Sequence, residues 1–251
     1  MTLPLRYFSL QLEFANKAAR LLNLSLDQAL MEFTSFWRRI HDPFLLKINN
    51  AEWSYDMQTP QWQELCSRIN NKEPADKIAH ELYIKNNNNT ETGKQYFGCF
   101  RYDFIPSVAN QGVIKIHFKN RDESSSGPLS KERTEARFND LKRMFENISK
   151  NHPDATIVKG GSWLYNLDSY KRLFPKTFTS NMEIEEIPYP RTSGFWGQFI
   201  NSERVINEQM ESCFIKKINA ANNIEELLQC FQFKILFATA AIEDFYSHFA
   251  I

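Results

Sequence analysis

The chain has little glycine and no excess of either charge. Only 8 of its 251 residues are glycine, whereas 21 are phenylalanine. Its core therefore depends on large aromatic rings, which bury about 150–250 Å² each. Lysine and arginine together number 30, and aspartate and glutamate also number 30. A formal net charge of zero lacks the basic excess that is typical of nucleic-acid-binding proteins, so we expect no nucleic-acid partner.

The four cysteines show no metal-binding spacing. Cys66, Cys99, Cys213 and Cys230 include no C-x-x-C pair of the kind that holds zinc. We therefore predict no metal site, and we expect reduced thiols in a cytoplasmic protein. The first residues lack a basic segment followed by an apolar one, so we expect no signal peptide. No stretch reaches about 18 consecutive apolar residues, so we also expect no membrane-spanning helix.

The first 90 residues have the pattern of a helical part. Apolar side chains recur at helical spacing over Leu5–Leu22. Ser25, followed three residues later by Gln28, matches a capping box and predicts a second helix that runs to Ile40. Pro74 suits the first turn of a third helix.

Further along, the apolar pattern changes from a helical period to a strand period. Residues 96–104 and 112–118 alternate and predict a β-hairpin with one aromatic and one polar face. If the turn centres near residue 108, Cys99 lies opposite His117 on the polar face. His117 is then a candidate general base toward an amine, or the partner of a Cys99 nucleophile. The alternative is a half-buried histidine with a structural role.

Two predicted helix starts lie behind segments that could hold an anion. Ser130 is a suitable N-cap for a helix over about 131–150. A short strand over 155–158 is followed by a glycine pair, which predicts a turn into another helix. Free N–H groups at helix starts bind phosphates. The candidate ligands of such an anion are Arg121, Ser126, Gly127, Ser130, Gly160, Gly161 and Ser162. The alternatives are a solvated loop with an ordinary serine cap, and glycines that serve only the backbone of a turn.

The last third of the chain predicts one more strand and a pair of helices. Residues 182–187 alternate and are followed by prolines, which favours a short strand. One helix contains Phe214, and Asn223 caps a second that we expect to reach Phe249. Because 231–242 is apolar nearly all round, that helix is either a core element or a partner surface. On the second interpretation, 231–249 forms the interface of a homo-oligomer.

Several motifs stand at comparable places in a known family. They are FRYDF at the end of a strand, His117 in the next strand, GPLS at 127–130 before a helix, SWL at 162–164 after a strand, and SNM at 180–182. With the order hairpin, helix, strand, helix, strand, residues 96–182 resemble the central part of the GNAT (N-acetyltransferase) fold. They are most similar to the C-terminal domain of bacterial GNAT-like acyltransferases that carry a helical N-terminal domain. Where typical members have a glycine-rich pyrophosphate loop, residues 121–127 hold one glycine and three serines.

This resemblance implies an α/β (α+β) protein, with a helical part at 1–90 and a GNAT-like mixed sheet with C-terminal helices at 91–251. It implies acyl-CoA as a co-substrate, with no tightly bound cofactor, and a small-molecule amine as acceptor. His117 would assist deprotonation of the amine, and the loop before Ser130 would hold the pyrophosphate. The chain would be such an acyltransferase or a degenerate relative of one. The alternative is a non-catalytic interaction protein that uses 231–249 as its surface.

Overall fold

A computed structural model describes residues 2–41, 56–87, 95–106, 112–122, 124, 126–184, 190–192 and 194–251. The chain forms two compact units, which we call the helical unit (Met1–Glu91 with Ile187–Gln232) and the sheet unit (Thr92–Glu186 with Phe233–Ile251). The chain thus enters the sheet unit near residue 91 and returns to the helical unit before its last strand. Helices and a mixed five-stranded sheet together confirm the coarse prediction of an α/β protein.

The elements of the described residues, in chain order, are α1 (Leu5–Leu22), α2 (Leu26–Phe33), α3 (Phe36–Ile40), α4 (Pro60–Asn70), α5 (Ala75–Asn87), β1 (Phe100–Ile105), β2 (Gly112–Phe118), α6 (Thr134–Asn151), β3 (Ala155–Ser162), α7 (Asp168–Lys171), α8 (Lys176–Ser180), β4 (Glu183–Ile184), α9 (Glu208–Ala220), α10 (Ile224–Leu228), β5 (Leu236–Ala241) and α11 (Ile242–Phe249). Short 3₁₀ turns cover Lys131–Arg133, Trp163–Asn166 and Phe195–Phe199.

In the helical unit, α2 begins where the sequence predicted. The Gln28 side chain accepts a hydrogen bond from the Ser25 N–H at 3.1 Å, which is one of the two contacts of the predicted capping box, and both are present. The predicted continuous helix to Ile40 is wrong, because α2 and α3 are separate helices. At the break, the Ser35 N–H donates to Gln11 Oε1 at 2.7 Å, and the Thr34 hydroxyl donates back to the Leu30 carbonyl. A tertiary hydrogen bond thus replaces a helical one.

The core of the helical unit is an aromatic cluster that joins α1 to the segment after residue 190. Phe14 of α1 stacks on Phe214 of α9, with ring centroids 5.8 Å apart. Trp196 meets Phe14 edge-on at 5.6 Å, and Phe231 packs on Phe214 at 4.9 Å. These rings are all largely buried, and further phenylalanines form the core of the sheet unit.

The sheet of the sheet unit has the strand order β1-β2-β3-β5-β4. β1 and β2 form an antiparallel hairpin, β2 and β3 are parallel, and β5 is antiparallel to both β3 and β4. Helix α6 is the crossover between the two parallel strands, as such a pair requires. Apolar side chains of α6 and α11 join those of the strands in one buried cluster.

The hairpin and its two faces are confirmed, but the register is not the predicted one. Arg101 pairs with His117, and Asp103 pairs with Lys115. The register differs by two residues from the prediction, and a shift of two leaves every side chain on its own face. Phe100 is accordingly buried, and Lys115 and Asp103 are exposed. The turn itself lies outside the described residues.

The predicted C-terminal helix from Asn223 to Phe249 is wrong. Asn223 does cap a helix, since its side chain accepts from the Glu226 N–H at 2.8 Å, but that helix ends at Leu228. The apolar segment then forms β5, an inner strand between β3 and β4, followed by α11. Ala238 of β5 is buried, whereas Phe237 and Ala241 are apolar but exposed, so the segment lacks the alternation that marks a strand. Phe245 and Phe249 of α11 are 0% and 1% exposed, so these two side chains of the predicted 231–249 interface belong to a core.

The predicted strand at 182–187 is present as β4 over Glu183–Ile184, and residues 185–187 lie outside the described part.

Candidate functional site

Strands β2 and β3 diverge at their carboxyl ends. Their register ends at the pair Ile116–Gly160, although β2 continues to Phe118 and β3 to Ser162. On its other side, β3 pairs with β5 from Ile157 to Ser162. In open α/β sheets, ligands bind at the carboxyl ends of parallel strands, where the connections part. We therefore expect a ligand site at the carboxyl ends of β2 and β3.

His117 lies on β2 just beyond the last β2–β3 pair, on the face of the sheet opposite the core. Its Nε2 atom lies 2.8 Å from Asp103 Oδ2, and the two side chains are 37% and 53% exposed. The groups meet at ion-pair distance without the alignment of a hydrogen bond. His117, and after it Arg101, hold the pKa of Asp103 well below its usual range. Asp103 therefore stays a carboxylate at neutral pH and can orient the imidazole.

Cys99 does not meet His117, so the hypothesis of a Cys–His pair is wrong. Cys99 precedes β1, is 1% exposed, and accepts a hydrogen bond from Arg137 Nη1. Burial raises the pKa of the Cys99 thiol, although the Arg121 N–H and the Arg137 charge act in the opposite direction. A buried thiol with a raised pKa is a poor nucleophile.

In the loop between β2 and α6, the Asp122 carboxylate occupies the position at which an external anion was predicted to bind. The Asp122 side chain is 4% exposed, and its Oδ2 lies 2.7 Å from Arg133 Nε and 3.3 Å from Arg137 Nη2. Its Oδ1 accepts from the Ser124 N–H at 2.9 Å. Burial alone would raise the pKa of Asp122, but the Ser124 hydrogen bonds and then Arg133 bring it below its ordinary value.

The other residues predicted to hold an anion in this loop are dispersed. Arg121 places its guanidinium over the Tyr96 ring at 4.2 Å. Ser126 is exposed, and Gly127 is buried with a φ of +78°, a conformation that favours glycine. Ser130 precedes the 3₁₀ turn that leads into α6, but its side chain does not cap that turn. Helix α6 itself starts at Thr134, four residues later than Ser130.

Beneath the loop, Arg137 and Asp140 extend the charged cluster into the protein. Arg137 Nε lies 3.1 Å from Asp140 Oδ2, and both side chains are less than a tenth exposed. Arg143 reaches Asp140 from the surface at 2.7 Å. Gly98 has a φ of +57°, and a Cβ there would overlap the Asp140 carboxyl. We call Cys99, Asp122, Arg137 and Asp140 the buried ion cluster. Its ion pairs, with Arg133 and Arg143 at the rim, hold the loop to α6, although Arg137 Nε and Asp140 Oδ2 meet without the alignment of a hydrogen bond.

The predicted turn at Gly160–Gly161 is wrong, because both glycines lie within β3. Gly160 pairs with Ala238, and Gly161 pairs with Phe237. A Cβ on Gly160 would overlap the Tyr165 hydroxyl, and one on Gly161 would lie 2.7 Å from the Phe237 ring. Ser162 does cap the following 3₁₀ turn, since its hydroxyl accepts from the Leu164 N–H at 3.1 Å. The glycines serve close packing on both faces and do not form a phosphate cradle.

Sequence reasoning placed Asp103 and Lys115 on the polar face with His117 but missed Lys159. Asp103 was placed too far from His117 because of the register. Lys115 and Lys159 are exposed and are register partners across β2 and β3. The alternation of β2 already put Lys115 on this face, but only the parallel pairing brings Lys159 beside it.

The described residues show neither a metal site nor a membrane span. Among them, no three His, Cys, Asp or Glu side chains come together in a way that could hold a metal ion. Within the same ranges, no helix has both the length and the apolar character needed to cross a bilayer. A scan against protein-family models, a search of curated proteins and a search of solved structures each found no match to the chain.

Proposed function

We propose that the sheet unit is an acyl-CoA-dependent N-acyltransferase with His117 as its general base. The observation that carries the proposal is the His117–Asp103 pair at the point where β2 and β3 diverge. The order of hairpin, helix, strand, helix and strand over Phe100–Ile184 supports it as well, since this is the order on which the resemblance to the GNAT fold rests. The proposal covers the GNAT-like fold and the reaction together.

In the proposed reaction, the amine nitrogen of the acceptor attacks the thioester carbonyl of acyl-CoA. His117 takes the proton from that nitrogen, and the Asp103 carboxylate stabilises the imidazolium that forms. The new N–C bond is completed as the C–S bond breaks. The proton passes to the sulfur, so that the products are the amide and free CoA thiol. Atoms and charge balance without a metal or an oxidant.

The acyl-CoA would bind at the same carboxyl ends of β2 and β3. The segment Gly127–Ser130 leads through a 3₁₀ turn that contains Arg133 into α6 there. A pyrophosphate on this segment would compete with the Asp122 carboxylate for Arg133 and for the Ser124 N–H. Binding of acyl-CoA therefore requires Asp122 to give up part of its contacts.

The same carboxylate favours a second candidate function, that of a degenerate relative without catalysis. With Asp122 4% exposed and paired to two arginines, the loop is already neutralised from within. A chain that keeps the scaffold and replaces the phosphate by its own side chain would bind no acyl-CoA. The two candidates differ in whether a nucleotide pyrophosphate can displace Asp122.

A thiol-release assay with acetyl-CoA and a panel of primary amines tests the proposal. We expect turnover in the wild type, and a loss of about 10²–10⁴-fold in His117→Gln, the range that general bases contribute. Asp103→Asn should lose less, because the imidazole remains. His80→Gln is the control, since His80 lies in the helical unit and binds the Leu3 carbonyl. Thiol release that is equal in wild type and His117→Gln would overturn the assignment of the base, and no release with any amine would favour the degenerate relative.

A further inference from the structure

The face of the sheet that carries His117 is open and holds two rows of side chains. One row runs Asp103, Lys115, Lys159 and Thr239 across β1, β2, β3 and β5. All four of these residues are exposed. The neighbouring row holds Arg101 and His117 on the hairpin, and Gly161 and Phe237 on β3 and β5. His117 and Lys115 are two positions apart on one strand and so point the same way.

The charges of this face do not balance. Asp103 is one acidic group of this face, and Arg101 and His117 already lie against it. The other is Glu183 of β4, which stands beside Phe237 at the far end of the neighbouring row. Lys115 and Lys159 have no ion-pair or hydrogen-bond partner among the described residues. They also stand directly opposite each other, and like charges in that position destabilise a sheet. An external anion bound between the two lysines would relieve the electrostatic repulsion between them.

An apolar surface lies next to the lysines. The ring of Phe237 covers Gly161, whose Cβ position would be 2.7 Å from the ring, and Phe237 is 43% exposed. Gly161 leaves this part of the sheet without a side chain of its own. This leaves room for a short hydrocarbon chain along β3, between the lysine pair and His117 near the carboxyl end of β2.

We propose that this face binds the acceptor substrate, and that the acceptor is a primary amine that also carries a carboxylate. Lys115 and Lys159 hold the carboxylate, Phe237 contacts the methylenes, and the amine lies at His117. The reaction of the amine rests on the proposed function, whereas the carboxylate site does not. Two residues along a strand span about 6.6 Å, so an ω-amino acid of several methylenes fits better than an α-amino acid.

The first test is a binding measurement without acyl-CoA, made on the full chain by NMR. The probes are 6-aminohexanoate and its carboxamide, which differ only in the charge. We expect saturable shifts at Lys115, Lys159 and His117 with the acid, and affinity about tenfold weaker with the amide, because an ionised partner strengthens such bonds. High salt should reduce the preference, since the site is exposed.

Matched variants assign the site. Lys115→Gln and Lys159→Gln should each remove the preference for the acid. Lys150→Gln is the control, because Lys150 is an exposed lysine near the end of α6. Equal binding of acid and amide, no binding of either, or an equal effect of all three substitutions would each overturn the inference. The lysines are exposed, so we expect all three variants to fold.

The second test is acyl transfer from acetyl-CoA to the same pair of probes. A carboxylate preference of about tenfold in kcat/KM that disappears in Lys115→Gln is the expected result. Turnover of acid and amide at equal rates would overturn the acceptor assignment and leave the acyltransferase standing. Binding of the acid at the lysines without any turnover would have the opposite meaning, because the carboxylate site would stand while the acyltransferase would not.

Discussion

The sheet unit holds two charged clusters that use the same residue types in opposite ways. In the buried ion cluster, Asp122 and Asp140 share Arg137, and each side chain is less than a tenth exposed. On the open face, Lys115 and Lys159 oppose each other in water, and the carboxylate in their row, Asp103, lies against Arg101 and His117. Opposite charges that pair with each other stabilise the fold. Facing charges of the same sign destabilise it and favour the binding of a ligand of opposite charge. The sequence pattern alone does not separate the two.

The largest effect should come from breaking the buried ion cluster. Arg137→Met leaves Asp122 and Asp140 without their shared partner, and removing one member of a buried ion pair costs about 3–5 kcal/mol. Arg143→Met is the control, because the Arg143 side chain is 61% exposed and should cost less than about 1 kcal/mol. Urea unfolding of both variants measures the difference. Equal losses would mean that the cluster is not a structural unit.

A smaller effect should follow from a methyl group at Gly98. Gly98→Ala strains a left-handed backbone and pushes on the Asp140 carboxyl, which we expect to cost about 1–3 kcal/mol. Gly194→Ala is the matched control, because it has a negative φ and open space around its Cβ position. Thermal unfolding should show a lower Tm for the first variant and an unchanged Tm for the second. If Gly98→Ala unfolds at the wild-type temperature, Asp140 is free to move.

The same cluster should make the sheet unit sensitive to acid. The folded state lowers the pKa of Asp122, so its contribution to stability is complete above the unfolded value of about 3.9 and is lost as the pH falls through the folded value. Asp122→Asn should flatten the decline of the unfolding free energy below about pH 4. Denaturant titrations at several pH values measure it. Parallel curves for the variant and the wild type would contradict the assignment.

The smallest effect, and the one of opposite sign, belongs to the open face. Lys115→Gln relieves repulsion across β2 and β3, so we expect stability without ligand to rise by roughly 0.2–1 kcal/mol. Lys150→Gln should not raise stability, because a cation is favourable near the C-terminus of α6. Differential scanning calorimetry compares the two. A loss of stability in Lys115→Gln would mean that Lys115 has a structural role and would remove the contrast between the clusters.

The fold of the hairpin and of α6 could be predicted because the pattern of each is local. Alternation set the faces of β1 and β2, and they survived an error of two residues in the register because the period of a strand is two. The buried residues Leu141, Phe145 and Ile148 recur at helical spacing on the inner face of α6. These features need no knowledge of distant residues.

The errors come from packing that the local pattern does not show. The apolar segment of β5 looked like a helix because Phe237 and Ala241 are apolar although they lie on the exposed face of the strand, which hides its alternation. Gly160 and Gly161 looked like a turn, but they are required by Tyr165, which follows Gly160 by five residues, and by Phe237, which comes from a distant part of the chain. Among the candidate site residues, the position of His117 near the carboxyl end of β2 could be predicted, because the alternating pattern of that strand is local. Its pairing with Asp103 depended on the register, and its proximity to Lys159 depended on the parallel pairing.

The most direct test of the proposed function is a calorimetric titration of the full chain with acetyl-CoA, combined with NMR assignment of the residues that respond. The proposal predicts saturable binding, with shifts at His117, at Gly127–Ser130 and at Asp122 as the pyrophosphate takes over its partners. No heat and no shifts with acetyl-CoA or longer acyl-CoAs up to millimolar concentration would contradict it, and would leave the sheet unit as a scaffold that Asp122 has closed.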